Sequence, residues 1–219
     1  MPAIDFTPNA PQLSVELLDQ LRAIPVALLS DQLRRACGTA MLRPYHRPSP
    51  MAGTALTVRT RGGDNLAILR AFDHCRPGDV LVVDAGGETE NALVGGIMTF
   101  FAASIGMAGM VLDGAVRDIA ELRARDFPVY ARGHTHRGPF KDGPGAINVP
   151  VSVGGMVVQP GDIVVGDSDG LLAFAPGDAE RVIASALQQH VAEETTMQAI
   201  RDHRWDRSFV HALESRAAN

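Results

Sequence analysis

A chain of 219 residues, 46% hydrophobic and 21% charged, is long enough to bury one sizeable core and short enough to form a single domain over 1–219. Its net charge of −5 and the scatter of its basic residues leave no electrostatic footprint for nucleic acid. No apolar run approaches the ~20 residues of a membrane span. The opening MPAIDFTPNAPQLS has neither the basic stretch nor the apolar core of a signal segment, so the expected location is the cytoplasm, with no membrane partner.

Taken in chain order, Leu13, Val15, Leu17, Leu18 and Leu21, then Ala27, Leu28, Leu29, Leu33 and Ala36, fall near helical spacing and predict two short helices separated by Pro25. Cys37, with Cys75 further on, is too little for a disulfide framework and lacks the spacing of a zinc or redox site. Both are expected to be semi-buried thiols. Residues 51–60, MAGTALTVRT, alternate as a strand. GGDN at 62–65 turns the chain into a helix over 66–75. The Pro77-Gly78 turn leads to a buried strand at Val80–Val83, followed by Asp84 and two glycines. Next come a helix Ile97–Ile105, a strand Met110–Leu112, a helix Asp118–Arg125 and a strand Val129–Ala131, joined by connections too short for linkers. After Tyr130 the chain becomes rich in Gly, Pro and short apolar runs and reads as β. From Asp178 a long helix follows, and the segment beyond Trp205 is less patterned, as if ordered by a neighbouring subunit.

Three features of the segment 91–127 carry chemistry. Gly95-Gly96 stands at a helix start, where free N–H groups and the positive dipole end favour a carboxylate or phosphate; paired glycines equally permit a tight helix entry. Asp113 ends the buried run MVLD, with Gly114 expected to turn the chain, so its carboxylate faces a cleft or bonds its own turn. Arg117-Asp118 then opens a helix. A guanidinium holds an anionic oxygen with two donors, and a hard carboxylate oxygen ligates Mg²⁺ or Mn²⁺. The alternative is local: Asp118 stabilising its helix N-terminus and Arg117 pairing with Glu121 four residues on.

Gly96, twenty intervening residues, Arg117-Asp118, two more residues and Glu121 match the G-x20-R-D-x2-E/D pattern, and GDVLVVDAGG, VLDGAVRD, FPVYARG, GPGAINVPVSVGG and PGDIVVGDSDG extend the likeness from about Ile24 to about Pro176. On these motifs the chain resembles the RraA-like proteins, which include 4-hydroxy-4-methyl-2-oxoglutarate aldolase, oxaloacetate decarboxylase and a protein-binding inhibitor of a ribonuclease. The best-known inhibitor lacks the Arg-Asp pair, so its presence here favours the enzyme branch.

The fold so implied is α/β, a compact β/β/α (swivelling-domain-like) arrangement with a central mixed sheet, N-terminal helices and a long C-terminal helix, assembled as a homotrimer or dimer of trimers. The activity implied is a metal-dependent (class II) carbon–carbon lyase. It would release pyruvate from a 4-hydroxy-2-oxo diacid and decarboxylate oxaloacetate.

By the same resemblance Asp118 is the direct ligand of Mg²⁺ or Mn²⁺, and Arg117 binds the 2-oxo oxygen and stabilises the enolate. The amides around Gly95, Gly96, Ile97 and Met98 hold the pyruvyl carboxylate. Asp113 and Glu121 support the site, and Glu193 or Glu194 reaches it from an adjacent subunit's C-terminal helix.

A covalent lysine aldolase fits poorly, because Lys141 is the one lysine of the chain and lies in a flexible-looking loop with no evident desolvating pocket. His134 and His136 have the spacing of a metal pair without a third ligand and suit the substrate mouth or an interface. Asp84 is a possible supporting group near the site, Asp64-Asn65 a turn or subunit contact, and Asp167 and Asp169 a β-turn. No GxGxxG or GxGxG occurs, so a methyltransferase reading lacks its nucleotide motif.

Overall fold

The computed structural model describes residues 4–210. Its elements run β1 (Ile4–Phe6), α1 (Val15–Arg22), α2 (Val26–Gln32), β2 (Arg43–Pro44), β3 (Met51–Thr60), α3 (Leu66–Ala71), β4 (Asp79–Asp84), β5 (Ala92–Val94), α4 (Gly96–Ser104), β6 (Gly109–Val116), α5 (Ile119–Arg123) and β7 (Val129–His134). There follow β8 (Gly145–Ile147), β9 (Val151–Val153), β10 (Met156–Val158), β11 (Ile163–Gly166), β12 (Leu171–Phe174), a 3-10 turn at Pro176–Asp178 and the 23-residue α6 (Ala179–Arg201).

Ten strands form one mixed sheet in the order β1-β8-β3-β4-β6-β7-β2, with β5 beside β6 and the β11–β12 hairpin beside β3. At its centre β3, β4, β6 and β7 are parallel. β8, β11 and β2 add antiparallel pairs. A parallel sheet must be covered on both faces, and the alternation along β4 shows how. Leu81 and Val83 join Ile68, Ala102 and Leu122 beneath α3, α4 and α5. Val80 and Val82 turn the other way, onto Val151, Val153 and Val158 of the separate β9–β10 hairpin. The layers are therefore helix, sheet and hairpin, the β/β/α arrangement expected. A third cluster lets α1, α2 and α6 close over β11 and β12 through Leu21, Leu29, Val182 and Ile183.

Pro25 does separate the first two helices, standing as the N-cap of α2. Three short strands escape sequence reading, because β1, β2 and β5 have two or three residues each and gain their ladder only from a distant partner. The strand expected at Met110–Leu112 runs on to Val116. Gly114 does not turn the chain. A Cβ there would lie 2.6 Å from a Leu93 methyl, so this glycine lets β5 and its side chains close over β6. Residues 211–219, the end of the tail assigned to a neighbouring subunit's influence, lie outside the described residues.

Candidate active site

β5 and β6 are parallel neighbours that finish at the same level, Val94 opposite Val116. Their exits into α4 and α5 consequently meet. The Arg117 N–H extends the ladder by one bond, to the Val94 carbonyl at 3.1 Å. Asp118 follows in a left-handed conformation (φ 61°, ψ 41°), which Asp tolerates better than most residues. Its carboxylate thereby turns back onto the neighbouring helix, where Oδ2 accepts the Gly96 N–H at 2.9 Å. Arg117 Nε stands 3.8 Å from the same oxygen, and its side chain is 41% exposed.

The paired glycines provide the room this requires. A Cβ on Gly95 would collide with Asp118 Oδ2 and come within 2.8 Å of Arg117 Cγ; one on Gly96 would strike the Glu121 carboxylate. Glycine, Arg-Asp and Glu, twenty-odd residues apart in the chain, are in contact in space. Glu121 is paired with Arg125, one helical turn on. The expected local pair of Arg117 with Glu121 does not form, because the left-handed Asp118 lies between Arg117 and α5. Arg125, which sequence reading did not single out, also donates to the Gly96 carbonyl at 2.9 Å and so ties α5 to the start of α4.

The anion cradle is narrower than expected. Of the amides expected to hold a carboxylate, that of Gly96 is already taken by Asp118. Ile97 and Met98 stand in the first turn of α4, where no intrahelical carbonyl reaches their N–H groups.

A cavity of ≈ 260 Å³ opens in front of this junction, walled by Gly95, Ile97, Met98, Arg117 and Asp118 together with Asn65, Pro139 and Lys141. Lys141 is the single lysine of the chain and is exposed. Its presence there was not foreseen, nor that of Asn65. Both are brought in by a lacing of turn 61–65 to loop 139–143. Phe140 N–H bonds the Gly63 carbonyl at 2.9 Å and Asn65 N–H bonds the Phe140 carbonyl at 3.0 Å. The fully buried Asp64 carboxylate accepts the N–H groups of Leu66, Asp142 and Gly143 and faces Arg61 at 3.1 Å. Burial pushes that carboxyl up, but the three amides and Arg61 outweigh it and hold its pKa below the ordinary value. The turn expected at Asp64-Asn65 is thus a brace for this part of the cavity wall.

Other expected participants lie elsewhere. Asp113, inside β6 rather than at its end, is 4% exposed. It is spent on Arg132 Nε at 2.5 Å and the Gly154 N–H at 2.8 Å, which fasten the β9–β10 hairpin to the sheet. Asp84 does similar work, capping Gly86 and receiving the Ser152 N–H. Neither is in the cavity wall. Glu193 and Glu194 line a separate groove along α6, a helix that packs on α1 and α2, so neither belongs to the cavity of its own chain. His134 reaches Tyr45 Oη at 3.3 Å. Asp167 and Asp169 form the turn expected, with Asp167 also receiving the Val26 N–H.

Among the described residues no three His, Cys, Asp or Glu side chains cluster as a cage for a metal. The donor set at the junction nevertheless fits a hydrated hard cation. Mg²⁺ keeps most of its water and asks for one or two carboxylates, and Asp118 is 44% exposed with Oδ1 unpartnered among the described residues.

A helix-capped β/β/α sheet whose parallel strand exits bring two glycines, an Arg-Asp pair and a Glu together, with Gly95, Arg117 and Asp118 lining the cavity and Gly96 and Glu121 behind it, defines a class, and the sequence comparisons name it. The chain belongs to the RraA-like family (Aldolase/RraA), whose model matches residues 26–173. A curated relative from Halalkalibacterium halodurans, named "Putative 4-hydroxy-4-methyl-2-oxoglutarate aldolase", is 38% identical over 193 residues, covering 88% of this chain and 92% of the relative. Among solved structures, Streptomyces coelicolor RraAS2, described as an unusual member of the RNase ES inhibitor RraA protein family, superposes with a TM-score of 0.78 at 26% identity, covering 86% of this chain and 98% of that one. The RNA-processing inhibitor RraA from Thermus thermophilis superposes with a TM-score of 0.64 at 33% identity over 68% of this chain and 92% of that one. No helix among the described residues is long and apolar enough to cross a membrane.

Proposed function

We propose that this chain is a divalent-metal-dependent lyase, working as one domain per active site, that cleaves a carbon–carbon bond of a small 2-oxo diacid to release pyruvate. The observation that carries the reading is the meeting of Arg117 and Asp118 with the start of α4 in one cavity. The aldolase name of the Halalkalibacterium relative supports it.

In this reading the first-turn amides of Ile97 and Met98 hold the pyruvyl carboxylate at the positive end of α4. Arg117, whose guanidinium has no hydrogen-bond partner among the described residues beyond the long contact to Asp118, donates to the 2-oxo oxygen. When the C3–C4 bond breaks, its electron pair moves into a C2–C3 double bond and negative charge grows on that oxygen. A preorganised cation there lowers the barrier. Cleavage of a 4-hydroxy acid requires loss of the hydroxyl proton, whereas oxaloacetate loses CO₂ and needs no such base. Protonation of C3 then gives pyruvate in both cases. Asp118 would hold Mg²⁺ or Mn²⁺, which supplies further positive charge to the same oxygen.

Lys141 lines the same cavity as Arg117, and two cations suit a dianionic substrate. Its exposure is the opposite of the desolvated setting of a Schiff-base lysine. The chain is further proposed to be cytoplasmic and to assemble as a homotrimer or dimer of trimers. Ile97 (85% exposed), Phe100 and Phe101 on α4 and Leu187, Val191 and Met197 on α6 are outward apolar side chains that such contacts would cover. Glu193 could reach a cavity only from a neighbouring subunit.

The test is pyruvate release by the purified chain from oxaloacetate and from 4-hydroxy-4-methyl-2-oxoglutarate. Turnover should require Mg²⁺ or Mn²⁺ and vanish with chelator or with Asp118→Asn. Metal-independent turnover overturns the mechanism. The inhibitor names of the two solved relatives supply the second reading, a non-catalytic protein-binding regulator. It takes over if a panel of 2-oxo acids gives no product and the chain binds a ribonuclease instead.

A further inference from the structure

Asn65 is 3% exposed and forms part of the cavity wall. Its Nδ2 donates to the Leu93 carbonyl at 3.0 Å and lies 3.3 Å from the Met98 sulfur. Its Oδ1 is the one buried side-chain oxygen or nitrogen among the described residues that has no hydrogen-bond partner. The amide cannot simply be turned over to cure this, because Oδ1 would then face the Leu93 carbonyl, acceptor against acceptor. The backbone of β5 therefore fixes which end of the amide is left over, and that end is an acceptor. A buried acceptor without a donor is costly to maintain, and a donor arriving with a ligand removes the cost.

Resting on the oxo-acid reading above, we propose that Asn65 Oδ1 receives the 4-hydroxyl of the substrate and makes the site selective for 4-hydroxy-2-oxo acids over analogues without that group. The chemistry of the candidate substrates leads to this assignment. At neutral pH both carboxylates of a 2-oxo diacid are ionised and the oxo group only accepts. The hydroxyl is the sole donor the hydroxylated substrate brings, and oxaloacetate and 2-oxoglutarate bring none. Asn65 lines the same cavity as Ile97, Met98, Arg117 and Asp118, so a substrate held by those groups lies within that cavity beside it. The oxygen is screened from solvent, and Met98, whose sulfur lies against Nδ2 of the same amide, has an unbranched thioether side chain that shifts readily on ligand entry. Asn65 cannot take a proton from the hydroxyl. Its role is selection and orientation.

The first experiment measures binding of 4-hydroxy-2-oxoglutarate and of 2-oxoglutarate to the full chain by calorimetry, with chelator present so that cleavage is arrested. Wild type should prefer the hydroxylated acid by about 10- to 100-fold, the worth of satisfying one buried polar group. In Asn65→Leu the preference should fall to within about 3-fold. Equal binding by wild type overturns the inference alone, and does so even if the variant fails to fold. Failure of both acids to bind overturns the inference, whereas the oxo-acid reading falls only if no pyruvate is released from any 2-oxo acid in Mg²⁺.

The second experiment, in Mg²⁺, compares cleavage of 4-hydroxy-4-methyl-2-oxoglutarate with decarboxylation of oxaloacetate. Asn65→Leu should shift the ratio of the two kcat/KM values toward oxaloacetate by the same 10- to 100-fold. A parallel fall of both activities assigns Asn65 to the shared chemistry or to the fold and overturns the selection role.

Discussion

Replacing Gly95 by Ala tests the geometry at the junction most directly. Gly95 is extended (φ −147°, ψ −162°), a conformation open to any residue, so the substitution adds a methyl group without backbone strain. That methyl would collide with Asp118 Oδ2 and stand 2.8 Å from Arg117 Cγ, and both side chains must swing away. The bond from the Gly96 N–H to the Asp118 carboxylate, 2.9 Å long, is then lost. A hydrogen bond to a charged group contributes about 1.5–3 kcal/mol; Asp118 is nearly half exposed and water replaces part of it, so the expected destabilisation is about 1–2 kcal/mol. At this chain length that lowers Tm by roughly 2–8 °C. The proposed chemistry suffers more, since displacing a positioned group by about 1 Å costs on the order of 10²-fold.

The assays are urea unfolding and pyruvate release by Gly95→Ala, Asp118→Ala and the double variant. Once Asp118 is Ala, the methyl on Gly95 meets only Arg117 and should cost less. The two changes should therefore be non-additive by about 1 kcal/mol. Additivity within about 0.5 kcal/mol, or a Gly95→Ala chain with undiminished pyruvate release, would refute the account of why glycine stands at this position.

Three further outcomes are expected. Asp64→Ala leaves the N–H groups of Leu66, Asp142 and Gly143 without their acceptor, at about 1–3 kcal/mol for each buried group left unpaired. Denaturant titration should show a loss of at least about 3 kcal/mol, with looser hydrogen-exchange protection over 139–143; a loss under 1 kcal/mol would contradict the bracing role. His46 is buried, accepts the Val129 N–H on Nδ1 at 3.1 Å and meets the Ser49 carbonyl through Nε2. Desolvation holds its pKa below the ordinary value, against the opposing pull of the carbonyls of Val129 and Ser49. The unfolded chain therefore binds this proton first, and His46 should cost stability as pH falls from about 6.5 toward its lower folded pKa; unfolding midpoints of wild type and His46→Gln between pH 7.5 and 5 should diverge in that window. The Cys75 thiol is pushed up to about 12, by burial first and then by the nearby Asp79 carboxylate. At pH 8 its thiolate fraction is on the order of 10⁻⁴, so a thiol reagent should label Cys75 only after unfolding.

The sequence by itself determined the elements that repeat a local pattern. Leu81 and Val83 against Val80 and Val82 make β4 a strand buried on both faces, Pro25 divides α1 from α2, and the run from Asp178 supplies α6. It also marked the spacing of Gly96, Arg117-Asp118 and Glu121, because that spacing is linear information. Tertiary structure alone decided what the spacing means. Parallel pairing of β5 with β6 brings position 96 against positions 118 and 121, so two glycines are the room two carboxylates need. β5 itself is three residues long and acquires its identity from β6. Asp113 illustrates the reverse case: its position after MVL suggested a strand exit into a cleft, yet β6 continues and the carboxylate fastens the β9–β10 hairpin. Part of the cavity wall was illegible for the same reason. Asn65 and Lys141 are 76 residues apart, and the backbone bonds through Phe140 together with the buried Asp64, gathering amides from both segments, set them at one site. Local periodicity is written in the chain; a contact between distant residues exists only once the sheet has fixed the strand order that brings them together.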